Sequence, residues 1–275
     1  MADKLTTLAA VKEWLGLSTD DADMELARLI EAGSAYAYSY INRSSFAAHD
    51  VIENVRGNGK DTMLLRDWPV LSITSLGVEG KPIDPATIAP LGFASNGYRV
   101  TDANTGSPQS VDLYGSTFWY RSQVQVSYRA GYEATEDYVI EKTANEADPP
   151  VDIVVPIHPG TAGCWLVSFE VKVDDVEATL VTADPQAGQY TLDKWGNHTF
   201  SMADVGKTAT IRFGYAPWDI SQAVTELVAE SFRYKDRIGV KSKSLAGQET
   251  VSYFDSVMTP TVSMVLGLYK NVVPM

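Results

Sequence analysis

Any chemistry in this 275-residue chain has to come from few residues: three histidines, His49, His158 and His198, and one cysteine, Cys164. None of the histidines has a second His or a Cys at metal-ligand spacing, so no metal site is expected. A single cysteine excludes an intrachain disulfide, and Cys164 beside Trp165 in a strand-like run reads as a packed thiol, not a nucleophile. Gly57-Asn58-Gly59-Lys60-Asp61 is a poor phosphate loop, because Asn54 stands where the first glycine belongs and Asp61 where a magnesium-binding Ser or Thr is needed. Asp21, Asp23 and Glu25 alternate as calcium ligands do, but Leu26 occupies the position that must be Gly, and a helix N-terminus accounts for the acids better. No Gly-x-Ser-x-Gly elbow supports nucleophilic catalysis. With 35 Asp and Glu, carboxylate pairs at glycosidase separation can arise in any fold, so glycan hydrolysis has no positive support. No catalytic residue and no cofactor are expected, and the chain is not read as an enzyme.

The elements that would position such residues are legible from composition and pattern. Apolar residues make up 45% of the chain and aromatics 10%, enough for one large core or two modest ones. No apolar run reaches membrane-span length, and Met1-Ala2-Asp3-Lys4 lacks a signal peptide's basic start, so a soluble protein made in the cytosol, with no membrane partner, is expected. Lys plus Arg total 22 against the 35 acids, giving −13, a balance that repels phosphates more readily than it grips them.

Residues 5 to 43 read as two helices, the second opened by Ser18, Thr19 and Asp20 and carried by Leu26, Leu29, Ile30, Gly33, Ala37, Tyr40 and Ile41. Tyr36, Tyr38 and Tyr40 fall on more than one face, so at least one should meet a neighbouring element or subunit. Val51 to Arg56, Gly57-Asn58-Gly59 and Thr62 to Leu65 together predict a hairpin. Strands follow at 70–78, 98–101, 111–113 and 124–128, in antiparallel, half-buried sheet. Residues 133 to 150 are polar and acidic and read as a solvated connection. A second β unit uses 151–155, 169–173, 190–192, 198–200 and 210–215, with turns at Asp174-Asp175, Ala187-Gly188 and Gly196-Asn197. The two β regions run in parallel order: Val78-Glu79-Gly80, Tyr98-Arg99-Val100 and Val124, Val126, Tyr128 against Val173-Asp174-Asp175, Tyr190-Thr191-Leu192 and Ile211, Phe213, Tyr215; a duplication and a chance match are both open. From Pro217 an amphipathic helix is predicted, with Asp219 early and Arg233, Lys235 and Arg237 late. Residues 241 to 248 have no period and read as a loop, and Val262 to Tyr269 is a short apolar run that must dock somewhere.

Two segments resemble a known family. Leu5-Thr6-Thr7-Leu8-Ala9-Ala10-Val11-Lys12-Glu13-Trp14-Leu15, with Asp20-Asp21 and Tyr40-Ile41-Asn42-Arg43, is similar to the opening of the tailed-phage head-tail connector (adaptor) family. Pro217 to Val224, Tyr234 to Gly239 and Lys241 to Tyr253 resemble that family's last helix and following loop, and Asp67-Trp68-Pro69-Val70 and Tyr128-Arg129-Ala130-Gly131-Tyr132 supply the β portion between. In the family the Arg-Ala-Gly-Tyr strand leads within a few residues into the Pro-x-Asp-Ile helix; here residues 133 to 216 intervene.

The resemblance implies an α+β fold: a helical bundle formed by the N- and C-terminal segments (1–66 and 217–275), an antiparallel β region of the core (67–132) and an inserted β-sandwich-like domain (133–216). It implies a structural virion protein at the neck, assembled in the host cytoplasm. Such adaptors form a ring of about twelve copies below the portal, extend the channel through which DNA passes without specific binding, and dock stopper or tail proteins. Contacts with portal or sister subunits are expected at Arg237, Lys241, Lys243, Tyr253, Val265, Leu268 and Tyr269. The loop 239–253 and tail 260–271 are expected to order on assembly. The alternative is a carbohydrate-binding or glycan-hydrolysing phage β protein, with Trp165, Trp195 or Tyr190 as sugar platforms.

Overall fold

Thr7 opens the first helix, α1 (Leu8–Leu15): its Oγ1 accepts the Ala10 N–H at 3.1 Å, and Gly16, at φ +70°, closes the helix by returning its N–H to Glu13. The second, α2 (Asp23–Ile41), carries Asp23 and Glu25 in its first turn, where the backbone N–H groups face negative charge. In the computed structural model of the chain, residues 3–87, 95–101, 109–145, 152–235 and 258–271 are described, together with the backbone of 242–245 and 249–252. They form two compact units. One takes Tyr38–Tyr132 and the chain from Leu266 on; the other takes the chain up to Ala37 and Glu133–Val265.

The Tyr38–Tyr132 unit contains β1 (His49–Arg56), β2 (Thr62–Leu64), β3 (Val70–Val78), β4 (Lys81–Ile83), β5 (Gly97–Val100), β6 (Ser110–Tyr114) and β7 (Gln123–Ala130). An antiparallel sheet ordered β1-β7-β3-β4 and a smaller one ordered β2-β6-β5 enclose a core of Val51, Leu65, Leu76, Val111, Val124 and Tyr128. Alternation along β7, where Val124, Val126, Tyr128 and Ala130 are buried and the residues between them face outward, sets which side is core.

The Glu133–Val265 unit contains β8 (Glu133–Val139), β9 (Lys142–Ala144), β10 (Asp152–Val154), β11 (Cys164–Val173), β12 (Val176–Glu177), β13 (Thr179–Leu180), β14 (Gln189–Leu192), β15 (His198–Phe200) and β16 (Thr208–Ala216). Sheets ordered β12-β11-β16-β8 and β13-β14-β15 cover Ile140, Val171, Tyr190, Phe200, Ile211 and Phe213. The chain goes on through α3 (Trp218–Tyr234), β17 (Ser242–Leu245), β18 (Glu249–Ser252) and α4 (Pro260–Leu268). Within this unit α1, α2 and α3 pack on one another: Thr6 and Thr225 hydroxyls meet at 2.6 Å, the Leu5 N–H donates to Ser34, and a Cβ on Gly33 would lie 3.0 Å from Val228. These contacts bring α1, α2 and α3 into one helical cluster in an otherwise strand-rich α+β chain.

The same strand plan is built twice. In β3 and β7, Val78 faces Val124, Leu76 faces Val126 and Ile73 faces Tyr128; in β11 and β16, Val173 faces Ala209, Val171 faces Ile211 and Ser168 faces Phe213. Irregularities fall at matching places, between Val70 and Ser72 and between Ile73 and Ser75 in one, between Trp165 and Val167 and between Ser168 and Glu170 in the other. Glu53 of β1 and Glu136 of β8 occupy one register position, facing Val126 and Ile211. Both accept backbone N–H bonds from the segment before the long strand, Glu53 from Arg66 and Glu136 from Gly160, Thr161 and Ala162. The two strand plans correspond in register, with Val124 in the place of Ala209 and Val126 in that of Ile211, one pair off the correspondence expected from the sequence.

Several expectations are corrected. Residues 51 to 65 are not a hairpin: β1 pairs with β7 and β2 with β6. Gly57 serves close approach, since a Cβ on it would lie 2.0 Å from the Trp119 carbonyl oxygen, whereas Gly59 supplies a positive φ of +80°. Residues 133 to 139 are not a solvated connection but the edge strand β8 on β16, and 142–144 pair with 152–154. Residues 242–245 and 249–252, within the stretch read as a loop, form the antiparallel pair β17–β18, because backbone pairing needs no apolar period. The apolar run after Pro260 is helix α4, whose first turn is capped by Thr259.

Gly57→Ala should cost about 3 kcal/mol of unfolding free energy, since backbone must move to admit the methyl group. Gly80→Ala, at φ +72° with open space around it, should cost about 1 kcal/mol. Urea titrations giving equal losses for the two would show that the 57–122 contact is not rigid.

Candidate assembly site

Three of the segments that carry the family resemblance, Tyr40–Arg43, Asp67–Val70 and Tyr128–Tyr132, meet in the Tyr38–Tyr132 unit around Arg43. Its guanidinium is buried, donates through Nε to the Tyr269 carbonyl at 2.8 Å and through Nη1 to the Trp68 carbonyl at 2.6 Å, and lies 4.0 Å above the Trp68 ring. Tyr269 stacks on Trp68 with ring centroids 5.9 Å apart, and Phe46 meets Tyr269 edge-on at 5.7 Å. Asn271 completes the knot: its N–H donates to the Ile41 carbonyl at 2.8 Å and its Nδ2 to Asp67 Oδ1 at 2.6 Å. Asp67 also takes His49 at 3.7 Å and Arg66 at 3.4 Å, while its N–H donates to the Tyr128 hydroxyl, which in turn donates to Glu53. Gly131 permits the last approach: at φ +120° its N–H reaches the Pro69 carbonyl, and a Cβ would lie 2.7 Å from Ala47 O.

Charge in the knot follows burial and partners. Burial pushes Arg43 down to about 10, against the pull of Tyr132, Asp67 and other acidic groups nearby. The neighbouring Asp67 carboxylate raises His49. Burial tends to raise Asp67, yet His49, Arg66 and Asn271 together hold it below the ordinary carboxylate value. Burial and the Glu53 bond raise Tyr128 far above a free phenol. Among the described residues Arg43 Nη2 and Asn271 Oδ1 find no hydrogen-bond partner, and an adjoining cleft of about 420 Å³ lined by Ser39, Asn42, Ser44 and Arg66 has room for water.

Of the residues expected to touch portal or sister copies, Leu268 is 63% exposed, and Met264, one turn earlier on α4, is 66% exposed. Val265 is half-buried, and Tyr269 is half-buried in the aromatic stack just described. Arg237, Lys241 and Tyr253 lie outside the described residues, and Lys243 lies on β17. Within the single chain Arg43, Asp67 and Ile41 hold residues 269 and 271. Sequence reasoning missed Arg43 and Asn271 as partners; the nearest signal was Arg43 following a helix with no basic residue in its last turn.

In the second β unit the candidate chemical residues form a closed network. Trp165 Nε1–H donates to Ser168 Oγ at 3.0 Å, Ser168 lies 2.8 Å from His198 Nε2, and His198 Nδ1 lies 2.9 Å from the Gly196 carbonyl. That chain assigns Nδ1–H donating to Gly196 and Ser168 O–H donating to Nε2. A Ser-His pair is thereby made, but His198 is fully buried, its second nitrogen is spent on a carbonyl, and burial lowers its pKa to about 4, so the imidazole stays neutral. Tyr190 is buried and stacks on His198 at 5.5 Å, Trp165 meets it edge-on, and Trp195 lies under the Lys4 ammonium at 4.4 Å; none of the three forms an open sugar platform. Cys164, 4% exposed, packs near the Lys4 carbonyl, and burial raises its thiol to about 11. Among the described residues no group of three His, Cys, Asp or Glu could hold a metal ion, and no helix is long and apolar enough to cross a membrane.

The class defined here is an α+β protein whose buried polar groups serve packing. Residues 4–140 match the family model described as "Head completion protein". The match bears out the connector resemblance drawn from Leu5–Leu15, Tyr40–Arg43, Asp67–Val70 and Tyr128–Tyr132, all of which lie inside it, and it places the chain among structural proteins of the phage virion that connect head and tail. A solved chain from the "Neck of empty GTA particle computed with C6 symmetry" aligns with TM-score 0.38 and 13% identity, covering 98% of this chain and 92% of that one. No curated protein matches.

Arg43→Met should cost about 3 kcal/mol, since it strips two buried carbonyls of their donor. Hydrogen exchange should rise across 266–271 in particular, and uniform loss over the whole chain would deny Arg43 its hold on the tail. His198 carries its own pH signature. The unfolded chain takes up a proton below the ordinary 6.5 and the folded chain only near 4. Stability should therefore fall by roughly 2 kcal/mol between pH 7 and pH 4.5, and His198→Phe should remove that slope in urea titrations. An unchanged slope would mean that the imidazole is not buried neutral.

Proposed function

We propose that this chain is a structural head-tail connector that assembles into a ring of about twelve copies beneath the portal, extends the channel through which the genome leaves, and offers a docking surface to stopper or tail proteins. The head completion match over residues 4–140 carries this reading. The net charge of −13 supports it, because an acidic subunit repeated around an axis repels DNA from the channel wall and lets it pass without sticking. Helix α4 supports it too: Val262 and Leu266 are fully buried, while Met264 and Leu268 stand exposed on the other side, a short apolar stripe suited to a portal groove. Arg237, Lys241, Lys243 and Tyr253 are proposed as polar contacts of the same docking, with Val265 and Tyr269 supporting the stripe from behind. The glycan reading is not favoured, since its aromatics are satisfied within their own unit.

Electron microscopy of the purified protein with portal-bearing heads should show an added ring. Met264→Asp combined with Leu268→Asp should cut attachment at least tenfold and leave the far-ultraviolet circular dichroism unchanged. A chain that remains monomeric and leaves portals bare would overturn the connector reading, and full attachment by the double variant would overturn the role of α4.

A further inference from the structure

The Tyr38–Tyr132 unit concentrates its exposed aromatic surface at one crest. Trp119 and Tyr120, 53% and 72% exposed, top the loop between β6 and β7. The loop is braced from beneath. Phe118 is fully buried, the Gly59 N–H donates to the Phe118 carbonyl at 2.7 Å, Phe118 N–H to Lys60 at 2.8 Å, Arg121 N–H to Gly57 at 2.8 Å, and Ser122 O–H to the Trp119 carbonyl at 2.7 Å. The Arg121 guanidinium stands 5.2 Å from the Tyr120 ring, and Lys60, whose carbonyl takes the Phe118 N–H, lines a cleft of about 580 Å³ together with Arg56, Met63 and Leu64. Among the described residues Arg56, Lys60 and Arg121 make no ion pair, so an acidic chain carries three uncompensated cations around two exposed aromatic rings. Trp, Tyr and Arg on a pre-ordered support are what a binding centre uses, because little side-chain freedom is lost on contact.

The repeated β plan supplies an internal control. The matching loop of the other unit, between β15 and β16, closes with a single 3₁₀ turn, Met202–Asp204, in which buried Asp204 bonds the Gly188 N–H and Lys207. The fold is completed there without an aromatic crest, so holding the sheets together does not require Trp119 and Tyr120.

A complementary surface exists in that other unit. The turn from β11 to β12 places Asp174 and Asp175 at φ +48° and +66°, followed by Val176, 70% exposed, Glu177, and Leu180, 54% exposed. Asp174 is occupied by the Thr208 N–H, but among the described residues Asp175 and Glu177 make no ion pair. We propose that the Trp119-Tyr120-Arg121 crest of one copy seats on the Asp175-Val176-Glu177 turn of a second copy, with Lys60 and Arg121 against the two carboxylates and the rings against Val176 and Leu180. The occupant follows from charge: the crest is cationic and aromatic, and this chain itself presents an acidic turn with exposed apolar residues. Two different patches joined copy to copy make a head-to-tail contact, the kind that closes into rings, so this inference rests on the ring reading above.

Replacing Tyr120 by a photoreactive benzoylphenylalanine in the full chain, mixing isotopically light and heavy protein, and irradiating both the free protein and portal-bearing heads reads the contact directly. The expected product is a mixed light-heavy cross-link to the peptide Val173–Lys194. Arg121→Glu with Lys60→Glu should reduce copy-to-copy association at least tenfold, Asp175→Lys with Glu177→Lys should do the same, and the four changes together should restore most of it. A cross-link to a portal or tail polypeptide, one confined to light-light and heavy-heavy pairs, or one landing elsewhere on a sister copy overturns this contact and leaves the ring standing. Absence of any association between copies, free or on heads, overturns the ring as well.

Discussion

A single buried guanidinium sets the terms for the Tyr38–Tyr132 unit. Arg43 has two of its donors committed to main-chain carbonyls, one at Trp68 before β3 and one at Tyr269 after α4, so residues far apart in sequence are fixed to the end of α2. Among the described residues the charge has no direct carboxylate bond; it is held by carbonyl dipoles, by the Trp68 face and by Asp67 nearby. Such a group is tolerated only if every neighbour is in place. That requirement couples Gly131, Asn271 and the Glu53-Tyr128-Asp67 chain to one another, since removal of any of them opens water or leaves a polar atom stranded.

The two β units show how one strand plan can be held by different chemistry. A carboxylate at one register position, Glu53 or Glu136, ties the segment before the long strand to the sheet in both. The hydroxyl that supports it comes from Tyr128 of the neighbouring strand in the first unit and from Tyr138 of the same strand in the second. The central residue opposite the bulged strand is accordingly Tyr128 in one and Phe213 in the other. Backbone register is preserved while side-chain networks are exchanged, as expected where pleat and apolar alternation decide the pairing.

Much of this was legible in the sequence where local physics decides. The first three helices, the strand cores and the Asp174-Asp175 turn follow from periodicity, capping and positive-φ residues. Gly57-Asn58-Gly59 misleads because glycine serves turns and close approach equally well, and only the partner, here the Trp119 carbonyl, distinguishes them. Residues 133 to 139 mislead because an edge strand exposes one side and can be polar without being a loop. The Arg43 knot was visible only as fragments, Asn42-Arg43, Asp67-Trp68 and Ala130-Gly131, since nothing local says that a guanidinium will reach a carbonyl more than two hundred positions away. The exposed crest at Trp119 was illegible for the same reason: aromatic type does not reveal which face a ring takes until its support is folded.

The buried thiol carries a practical consequence. Cys164, almost wholly enclosed and raised to about 11, stays protonated and shielded at neutral pH. A cysteine introduced on an exposed position of this chain would thus be the sole reactive thiol of the native fold, open to a maleimide dye or spin label, with no need to mutate the natural one first.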